Sequence, residues 1–232
     1  MAGKRKFQYK RPQINWRPNQ TYIRELSLPR KRNYWLIKRG CDIVGSALVL
    51  LLLSPLYLLI ALAIVIDDPQ GGPIYTQLRC GRGGRHFKMY KFRTMKVGSD
   101  QKLKELMVRN EMKGPAFKMK NDPRITRMGH LLRPLSLDEL PQFVNVLKGD
   151  MTIVGPRPPL PGEVAQYNEY QFQRLFVTPG LTCYWQIAPH RNDMTFDQWL
   201  ELDIKYVVER TFWIDVKIIF KTVWAMLSRS GR

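Results

Sequence analysis

The longest apolar segment of the chain runs from Ile43 to Ile66, where 24 consecutive residues carry no charged side chain. As a helix, this segment would be about 36 Å long at 1.5 Å per residue, and the hydrocarbon core of a bilayer is about 30 Å thick. Pro55 follows Ser54 in the middle of the segment. Because proline lacks an amide proton and clashes with the preceding turn, we expect the helix to bend there.

The charges on the two sides of this segment have the same sign. The basic residues upstream are Arg30, Lys31, Arg32, Lys38 and Arg39, and those downstream are Arg79, Arg82, Arg85, Lys88, Lys91, Arg93 and Lys96. Because basic flanks stay on the cytoplasmic side, both ends are predicted to lie on that side. This favours a re-entrant helix-break-helix over a kinked spanning helix. A cleaved signal peptide ending at Ala61-Leu-Ala63 is disfavoured, because the basic leader and the apolar run are both too long.

Shorter patterns predict a small mixed domain after the apolar segment. Two short strands are predicted over Ile74–Leu78 and Arg85–Phe92, with turn glycines in Gly81-Arg-Gly-Gly84 between them. Pro179-Gly180 is predicted to form a turn. Helical segments are predicted over Asp100–Lys113, from Ser136 or Asp138 towards Leu147 with Gly149 as the stop, over Glu163–Leu175, and over Phe196–Leu227.

The last helical segment has two interpretations. Its second half combines Trp213, Phe220 and Trp224 with the charged residues Lys217 and Lys221. The charges interrupt it too often for a bilayer span. An amphipathic helix lying at the membrane interface and a helix packed on the core both fit.

The net charge of +19 predicts a polyanionic partner, either nucleic acid, anionic lipid or a phosphorylated substrate. Residues 1–40 contain 12 lysines and arginines and a single acid, Glu25. We predict that residues 1–33 form a mostly disordered basic arm, held against anionic lipid or solvated without a specific partner. Lys38, Arg39 and Asp42 are expected at the water–lipid boundary. The cysteines Cys41, Cys80 and Cys183 form no Cys-x-x-Cys pair, so a reduced, cytosol-facing environment is predicted.

The candidate chemistry centres on Ser136-Leu-Asp-Glu-Leu-Pro-Gln142. Ser136 and Glu139 match a capping box, whereas Asp138 as the N-cap would place Pro141 in the first turn, where proline is tolerated. Either way, Asp138 is expected at a helix N-terminus, which lowers a carboxylate pKa and attracts phosphate. An ionised Asp138 is a candidate nucleophile, a candidate Mg²⁺ ligand, or simply a cap.

Basic residues around this motif can neutralise a diphosphate. Arg157 is the best positioned, because it lies between Pro156 and Pro158. Lys91-Phe-Arg93 on the second predicted strand adds two more cations. The other candidates are Arg124, Arg127 and Arg133, and His86, His130 and His190 show no metal-ligand spacing.

Nine motifs in order resemble the bacterial sugar transferase family, the monotopic polyprenyl-phosphate phosphoglycosyl transferases. They are Lys38-Arg39-x-x-Asp42, the apolar run broken at Ser54-Pro55, Gln77-x-Arg79-x-Gly81, Lys91-Phe-Arg-Thr-Met95, Arg124-Ile-Thr-Arg127, Leu132-Arg133, Ser136-Leu-Asp-Glu-Leu-Pro-Gln142, Asn145-Val-Leu-x-Gly-Asp-Met151 and Val154-Gly-Pro-Arg-Pro158. The likeness begins at Lys38. Long members carry a multi-helix membrane region and a domain ahead of this core, so the chain resembles the catalytic core with a basic arm.

The resemblance implies that a UDP-sugar and a polyprenyl phosphate such as undecaprenyl phosphate are the substrates. It implies that Asp138 attacks the sugar-bearing phosphate and releases UMP, that Glu139 completes an acidic dyad, and that both hold Mg²⁺. The substrate contacts it implies are Arg133, Arg157, Lys91, Arg93, Arg79, Arg127 and Gln142. The expected location is the cytoplasmic face of the bacterial inner membrane.

Two departures from the family pattern bear on these expectations. Where many members read Thr-Gly-x-x-Gln and then Gly-Arg-Asn, this chain has Thr182-Cys-Tyr-Trp-Gln186 and then Ala188-Pro-His-Arg-Asn192. Pro134 after Arg133 is also unexpected. These differences affect the expected sugar preference and the placement of Arg133, and they leave Asp138 and Glu139 untouched.

The predicted fold is therefore α+β: a monotopic membrane protein with a re-entrant helix-break-helix over 34–68. Residues 69–232 are predicted as a small cytosolic catalytic domain with a β-hairpin and interfacial amphipathic helices. The predicted reaction transfers a phospho-sugar to the lipid phosphate and initiates a lipid-linked glycan. The alternatives are a glycosyltransferase releasing UDP and a non-catalytic membrane scaffold. A nucleic-acid partner is not expected, because it would not explain the apolar run or the acidic dyad, and a homo-oligomer is left open.

Overall fold

The computed structural model describes residues 32–99, 119, 122–188 and 194–227. Most of the predicted basic arm and the helix predicted over Asp100–Lys113 lie outside these residues. The described part contains helices and two small sheets, which agrees with a mixed helix and strand fold.

The apolar segment forms two helices, α1 (Arg32–Leu52) and α2 (Ser54–Asp67), bent by 62° at Leu53. Pro55 lies in the first turn of α2, where its missing amide proton costs no helical hydrogen bond. The predicted bend is confirmed. No single helix in the described part of the chain is long and apolar enough to cross a bilayer, whereas the bent pair meets this requirement by length and composition.

The polar residues of α1 contact the rest of the domain. Lys38 is 6% exposed and forms an ion pair of 2.8 Å with Asp215, and Asp42 is 4% exposed and accepts hydrogen bonds from the Thr152 hydroxyl and the Ile153 amide. The contacts of these two residues are with the protein, and their expected depth at the water–lipid boundary stays a prediction. Both residues are buried because a domain packs on this side of α1.

Arg39 makes a third contact of this kind. Its guanidinium donates to the carbonyl oxygens of Val146 and Leu147 at 2.6 and 2.7 Å. These are the last carbonyls of the helix α4 (Gln142–Lys148), which ends at Gly149 as predicted, with a φ of 83°. A cation at this end of a helix can donate to carbonyls of the last turn and interacts favourably with the helix dipole.

The predicted hairpin is confirmed. The strands β1 (Ile74–Cys80) and β2 (His86–Phe92) pair antiparallel, with Ile74 opposite Phe92 and Cys80 opposite His86. The helix α4 lies against β2, where the Asn145 side chain accepts from the Tyr90 amide and donates to the Lys88 carbonyl. Asn145 is fully buried, so this pair of bonds holds α4 in register with the hairpin.

A second, parallel pair of strands joins β3 (Thr152–Val154) to β4 (Gly180–Thr182). The turn predicted at Pro179-Gly180 is wrong, because Gly180 is the first residue of β4. The two backbones approach so closely that a Cβ on Gly180 would lie 2.1 Å from the Gly155 nitrogen. Glycine is therefore required at this crossing.

The remaining helices are short until the C-terminal part of the chain. The single helix predicted over Glu163–Leu175 is wrong: the Asn168 side chain caps a new helix there by accepting from the Gln171 amide. The final helical prediction is confirmed, with a break at Arg210. The helices are α3 (Arg127–Leu132), α5 (Pro161–Val164), α6 (Glu169–Phe172), α7 (Phe196–Glu209) and α8 (Phe212–Leu227).

The helix α8 has two different faces. Ile218 is fully buried in the core with Val154, Val177, Tyr206 and Val207. On the other side, Trp213, Phe220 and Trp224 are each more than 70% exposed. The interpretation as a core-packed helix is confirmed for the face that carries Ile218, and the interfacial position of the aromatic face stays a prediction.

Candidate active site

The backbone before the acidic pair has an unusual conformation. Ser136 has a φ of 54°, and within the described residues it is the only non-glycine residue with a positive φ. A 3-10 turn follows over Leu137–Glu139, and α4 begins only at Gln142 with Pro141 as its N-cap. The predicted helix start at Ser136 or Asp138 is therefore wrong, and neither forms a capping contact there.

The pKa of Asp138 shifts in the direction opposite to the expectation. Asp138 is 8% exposed, and burial raises the pKa of its carboxyl. The charge of Glu139 raises this pKa further, whereas the charges of Lys91 and Arg133 lower it. A helix N-terminus was expected to lower the pKa of Asp138. This effect does not apply, because the α-helix begins four residues later, at Gln142. A more basic carboxylate is a stronger nucleophile once it is ionised.

Glu139 has the opposite shift. Burial alone would raise the pKa of this carboxyl, but Lys91 holds it below its usual value, helped by Arg157 and Arg79. The Lys91 ammonium donates to Glu139 Oε1 at 2.7 Å. Two neighbouring carboxyls whose pKa values are pushed apart are typical of a site where each has a different task.

A pocket of about 160 Å³ opens beside Glu139. Its lining includes three of the predicted substrate-binding cations, Arg79, Lys91 and Arg157, together with the predicted contact Gln142. Asp138 is not among the lining residues. Burial and the charge of Arg157 lower the pKa of Arg79 to about 10. Cations held this close suit a ligand with more than one negative charge. The lining residues are Arg79, Met89, Lys91, Glu139, Gln142, Arg157, Pro158, Gly180, Leu181, Trp185 and Gln186.

The other predicted contacts lie elsewhere. Arg133 is next to the dyad turn, where its charge acts on Asp138 and its Nε donates to the Thr94 hydroxyl at 2.9 Å. Arg93 donates to Asp68 Oδ2 at 2.5 Å and to nearby carbonyls, so it holds the end of α2 to the hairpin. Arg127 is the exposed first residue of α3. Neither Arg93 nor Arg127 lines the pocket.

Sequence reasoning did not identify Trp185 or Gln186 as pocket residues. Both belong to the motif that departs from the family pattern, which was the available signal. The Trp185 ring stacks on Trp199 with 4.7 Å between centroids and 25° between planes. This stacking fixes the ring at the pocket wall.

The described residues contain no group of three or more histidine, cysteine, aspartate or glutamate side chains that could hold a metal ion. The two adjacent carboxylates Asp138 and Glu139 are hard oxygen donors. Mg²⁺ commonly takes one or two carboxylates, with substrate phosphates and water completing its octahedron. The donor set therefore fits Mg²⁺ in the presence of a phosphorylated ligand.

The fold and the site together define a protein of mixed helices and strands, with a bent apolar helix pair and a pocket lined by Arg79, Lys91 and Arg157. The chain belongs to the bacterial sugar transferase family, whose model matches residues 33–229.

Several curated proteins are similar to the chain. A galactosyl transferase of Streptococcus agalactiae is 44% identical over 202 residues, which cover 87% of this chain and 44% of that protein. An undecaprenyl-phosphate galactose phosphotransferase of Salmonella typhimurium is 43% identical over 206 residues, covering 87% of this chain and 42% of that protein. The chain thus spans less than half the length of these two relatives. An exopolysaccharide production protein of Rhizobium meliloti is 41% identical over 200 residues, covering 84% of this chain and 88% of that protein.

Proposed function

We propose that this protein transfers a phospho-sugar from a UDP-sugar to undecaprenyl phosphate or a similar polyprenyl phosphate, releasing UMP and initiating a lipid-linked glycan. The observation that carries the proposal is the acidic pair beside a pocket lined by three cations, on a domain packed against a bent apolar helix pair. The name of the Salmonella relative, an undecaprenyl-phosphate galactose phosphotransferase, supports the choice of the lipid acceptor, and the name of a UDP-galactose-lipid carrier transferase of Erwinia amylovora supports a UDP-sugar donor.

The chemistry has two displacements at one phosphorus. An Asp138 carboxylate oxygen attacks the sugar-bearing phosphorus, the bond to the bridging oxygen breaks, and UMP leaves with that electron pair. The lipid phosphate oxygen then attacks the same phosphorus, the acyl–phosphate bond breaks, and the Asp138 carboxylate is restored. The buried, more basic Asp138 suits the role of nucleophile, and Lys91 and Arg133 favour its ionised form.

The other site residues bind and orient the donor. Arg79, Lys91 and Arg157 line the pocket and neutralise the diphosphate. Glu139 keeps Lys91 in place through their ion pair. Mg²⁺, held by Asp138 and Glu139 with phosphate oxygens, would supply further charge neutralisation when bound.

We also propose that α1 and α2 form a re-entrant pair at the cytoplasmic face of the inner membrane. The side of α2 away from the domain carries exposed apolar residues, among them Leu58, Leu59, Leu62 and Ile66. The exposed aromatic side chains of α8 fit an interfacial position. Extraction tests this placement: the protein should stay in the membrane fraction at high salt and be released by detergent, and release by salt would contradict it.

Nucleotide release tests the reaction. Detergent-solubilised protein with Mg²⁺ and undecaprenyl phosphate is offered a panel of UDP-sugars, with Asp138→Asn as the test variant. Asp197→Asn, the same substitution at an exposed aspartate, is the control. We expect UMP from the wild type and the control and none from Asp138→Asn.

Other outcomes would contradict the proposal. Release of UDP would identify a glycosyltransferase. Full activity of Asp138→Asn would exclude the aspartyl intermediate. Absence of either nucleotide with every sugar would favour a non-catalytic scaffold.

A further inference from the structure

The loop that carries Arg157 is held by contacts at every carbonyl from Pro156 to Pro159. Three of its four residues are prolines and have no amide proton to donate. The Pro156 oxygen accepts from the Gly180 amide at 2.9 Å, the Pro158 oxygen from Arg79 at 3.0 Å, and the Pro159 oxygen from the Cys80 amide at 2.9 Å. The remaining carbonyl, that of Arg157 itself, accepts from Arg174 at 3.2 Å.

Arg174 is therefore the contact directly behind the pocket cation, although it does not line the pocket. It lies in the 3-10 turn Gln173–Phe176 and is 5% exposed. Its guanidinium forms an ion pair with Asp203 of α7 and donates to the Tyr167 hydroxyl at 2.9 Å. One side chain thus connects α7, the Tyr167 ring and the Arg157 main chain.

The Arg174–Asp203 pair is poorly compensated for a buried ion pair. Asp203 is fully buried, and its Oδ1 atom and the Arg174 Nε atom have no hydrogen-bond partner in the described part of the chain. Burial raises the pKa of Asp203 to about 6 although Arg174 and Arg157 oppose the rise. Buried pairs of this kind are often no more stabilising than an apolar pair of similar volume. Stability alone is therefore a weak reason for these two charges.

A positional role accounts for them. Arg157 and Arg79 already carry like charges in the pocket, and Arg174 adds a third guanidinium behind them. The Asp203 carboxylate offsets this repulsion, since it is attracted to both Arg174 and Arg157.

We propose that Arg174 and Asp203 are positioning residues that hold the Arg157 main chain, so that the Arg157 guanidinium stays directed at the phosphates of the bound donor. The proposal rests on the proposed function only for the identity of the donor. It predicts that changes at Arg174 act on donor affinity and do so through Arg157.

Binding of UDP to the full-length detergent-solubilised protein tests this by calorimetry. Arg174 donates to both Asp203 and the Arg157 carbonyl from the same Nη2 atom. The side chain of Arg174→Lys is shorter, so its ammonium does not extend to that position, and it also lacks the second nitrogen that donates to Tyr167. We expect this variant to weaken UDP binding about tenfold, equivalent to about 1.4 kcal/mol. Turnover should show a raised KM for the UDP-sugar with a much smaller change in kcat. Arg85→Lys, at an exposed arginine in the hairpin turn, is the matched control and should bind as the wild type does.

A double-mutant cycle separates positioning from a general structural role. In an Arg157→Ala background, Arg174→Lys should cause no further loss of UDP affinity, whereas its effect on thermal stability should be the same in both backgrounds. An equal loss of affinity in both backgrounds would overturn the proposal. The variant Arg174→Met/Asp203→Leu keeps the volume and removes both charges, so it is expected to remain folded and to bind UDP weakly. Unchanged binding by this folded variant would also overturn the proposal.

Pyrophosphate is measured in parallel because it engages the pocket cations without a nucleoside. Wild-type protein that binds pyrophosphate and not UDP would refute the choice of donor, while the cycle measured with pyrophosphate would still test positioning. Failure of the wild type to bind either probe would contradict both proposals.

Discussion

Asp42 is the clearest test of how the bent apolar pair is held to the catalytic domain. The residue lies on α1 and is 4% exposed. Its carboxylate accepts from the Thr152 hydroxyl at 2.7 Å and from the Ile153 amide at 3.0 Å, and both donors are on β3. Because β3 pairs with β4, which forms part of the pocket wall, this contact connects the apolar pair to the site.

The cost of losing this contact follows from its two bonds. A hydrogen bond to a charged group contributes about 1.5–3 kcal/mol. Asp42→Asn keeps the shape and one oxygen acceptor, so we expect it to lose roughly 2 kcal/mol of unfolding free energy. Asp42→Ala leaves both donors without an acceptor and should cost roughly 3–5 kcal/mol. At about 2–4 °C per kcal/mol for a chain of this size, Asp42→Asn should lower Tm by roughly 4–8 °C.

Thermal unfolding in detergent, followed by tryptophan fluorescence, measures the effect. Cys41→Ala at the preceding, exposed position is the control and should leave Tm nearly unchanged. A cycle with Thr152→Val should give a coupling of at least about 1 kcal/mol, as expected for groups in contact. An Asp42→Ala variant within about 0.5 kcal/mol of the wild type, or costs that add without coupling, would refute the reasoning.

Three further outcomes follow from the site. Ser136→Gly should raise the free energy of unfolding by up to about 1 kcal/mol, because glycine adopts the positive φ without strain. The β-branched Ser136→Val should lower it. A higher Tm for Ser136→Val than for Ser136→Gly would contradict this. Trp185→Ala should weaken binding of the UDP-sugar several-fold and change the ranking of sugars in the release assay. Trp185→Phe should have a smaller effect, because it keeps a ring against Trp199. An unchanged ranking with Trp185→Ala would refute a role of Trp185 in sugar choice. The pKa of Asp203, buried beside Arg174, Tyr167 and Cys183, is raised to about 6 in the folded state, so the folded form binds more protons there. The stability of the wild type relative to Asp203→Asn should therefore fall by about 3 kcal/mol as pH rises from about 4 to above 6, and a rise measured by denaturation across that range would contradict the assigned direction.

The elements that sequence reasoning predicted correctly depend on local patterns. The uncharged run and Pro55 are sufficient for a bent helix pair, and the apolar residues around Gly81-Arg-Gly-Gly84 are sufficient for a hairpin. The strands β3 and β4 have three residues each, and within the described residues they pair with one another alone. Such short strands have no periodic pattern of their own. The left-handed Ser136 was missed for a related reason, since serine in a matching motif favours a cap, and only the surrounding structure imposes the other conformation.

The sequence predicted the types of residue in the site more completely than their positions in space. Arg79 and Arg93 belong to the same hairpin region and are equivalent by composition, yet only Arg79 lines the pocket. Arg93 follows β2 where the end of α2 offers Asp68 and free carbonyls, and these occupy its guanidinium. Which cation faces the pocket is decided by such tertiary contacts. The same holds for Arg174 and Asp203, which are 29 residues apart in sequence.

The dyad turn is fixed directly to the apolar pair. The Tyr57 hydroxyl of α2 donates to the carbonyl of Leu140, which follows Glu139 in the chain. Leu137 and Leu140 also pack with Ile60 and Ile64 of α2. The opposite side of α2 is apolar and exposed. A helix with its side chains is about 10 Å across, so the part of the dyad turn that packs on α2 lies about one helix diameter from the surface proposed to face lipid. Under the proposed function, this depth lets the acceptor phosphate reach Asp138 while its polyprenyl chain remains in the bilayer. Because the same contacts set the depth and hold the dyad turn, a change in how α2 sits in the membrane would alter the geometry of the dyad as well.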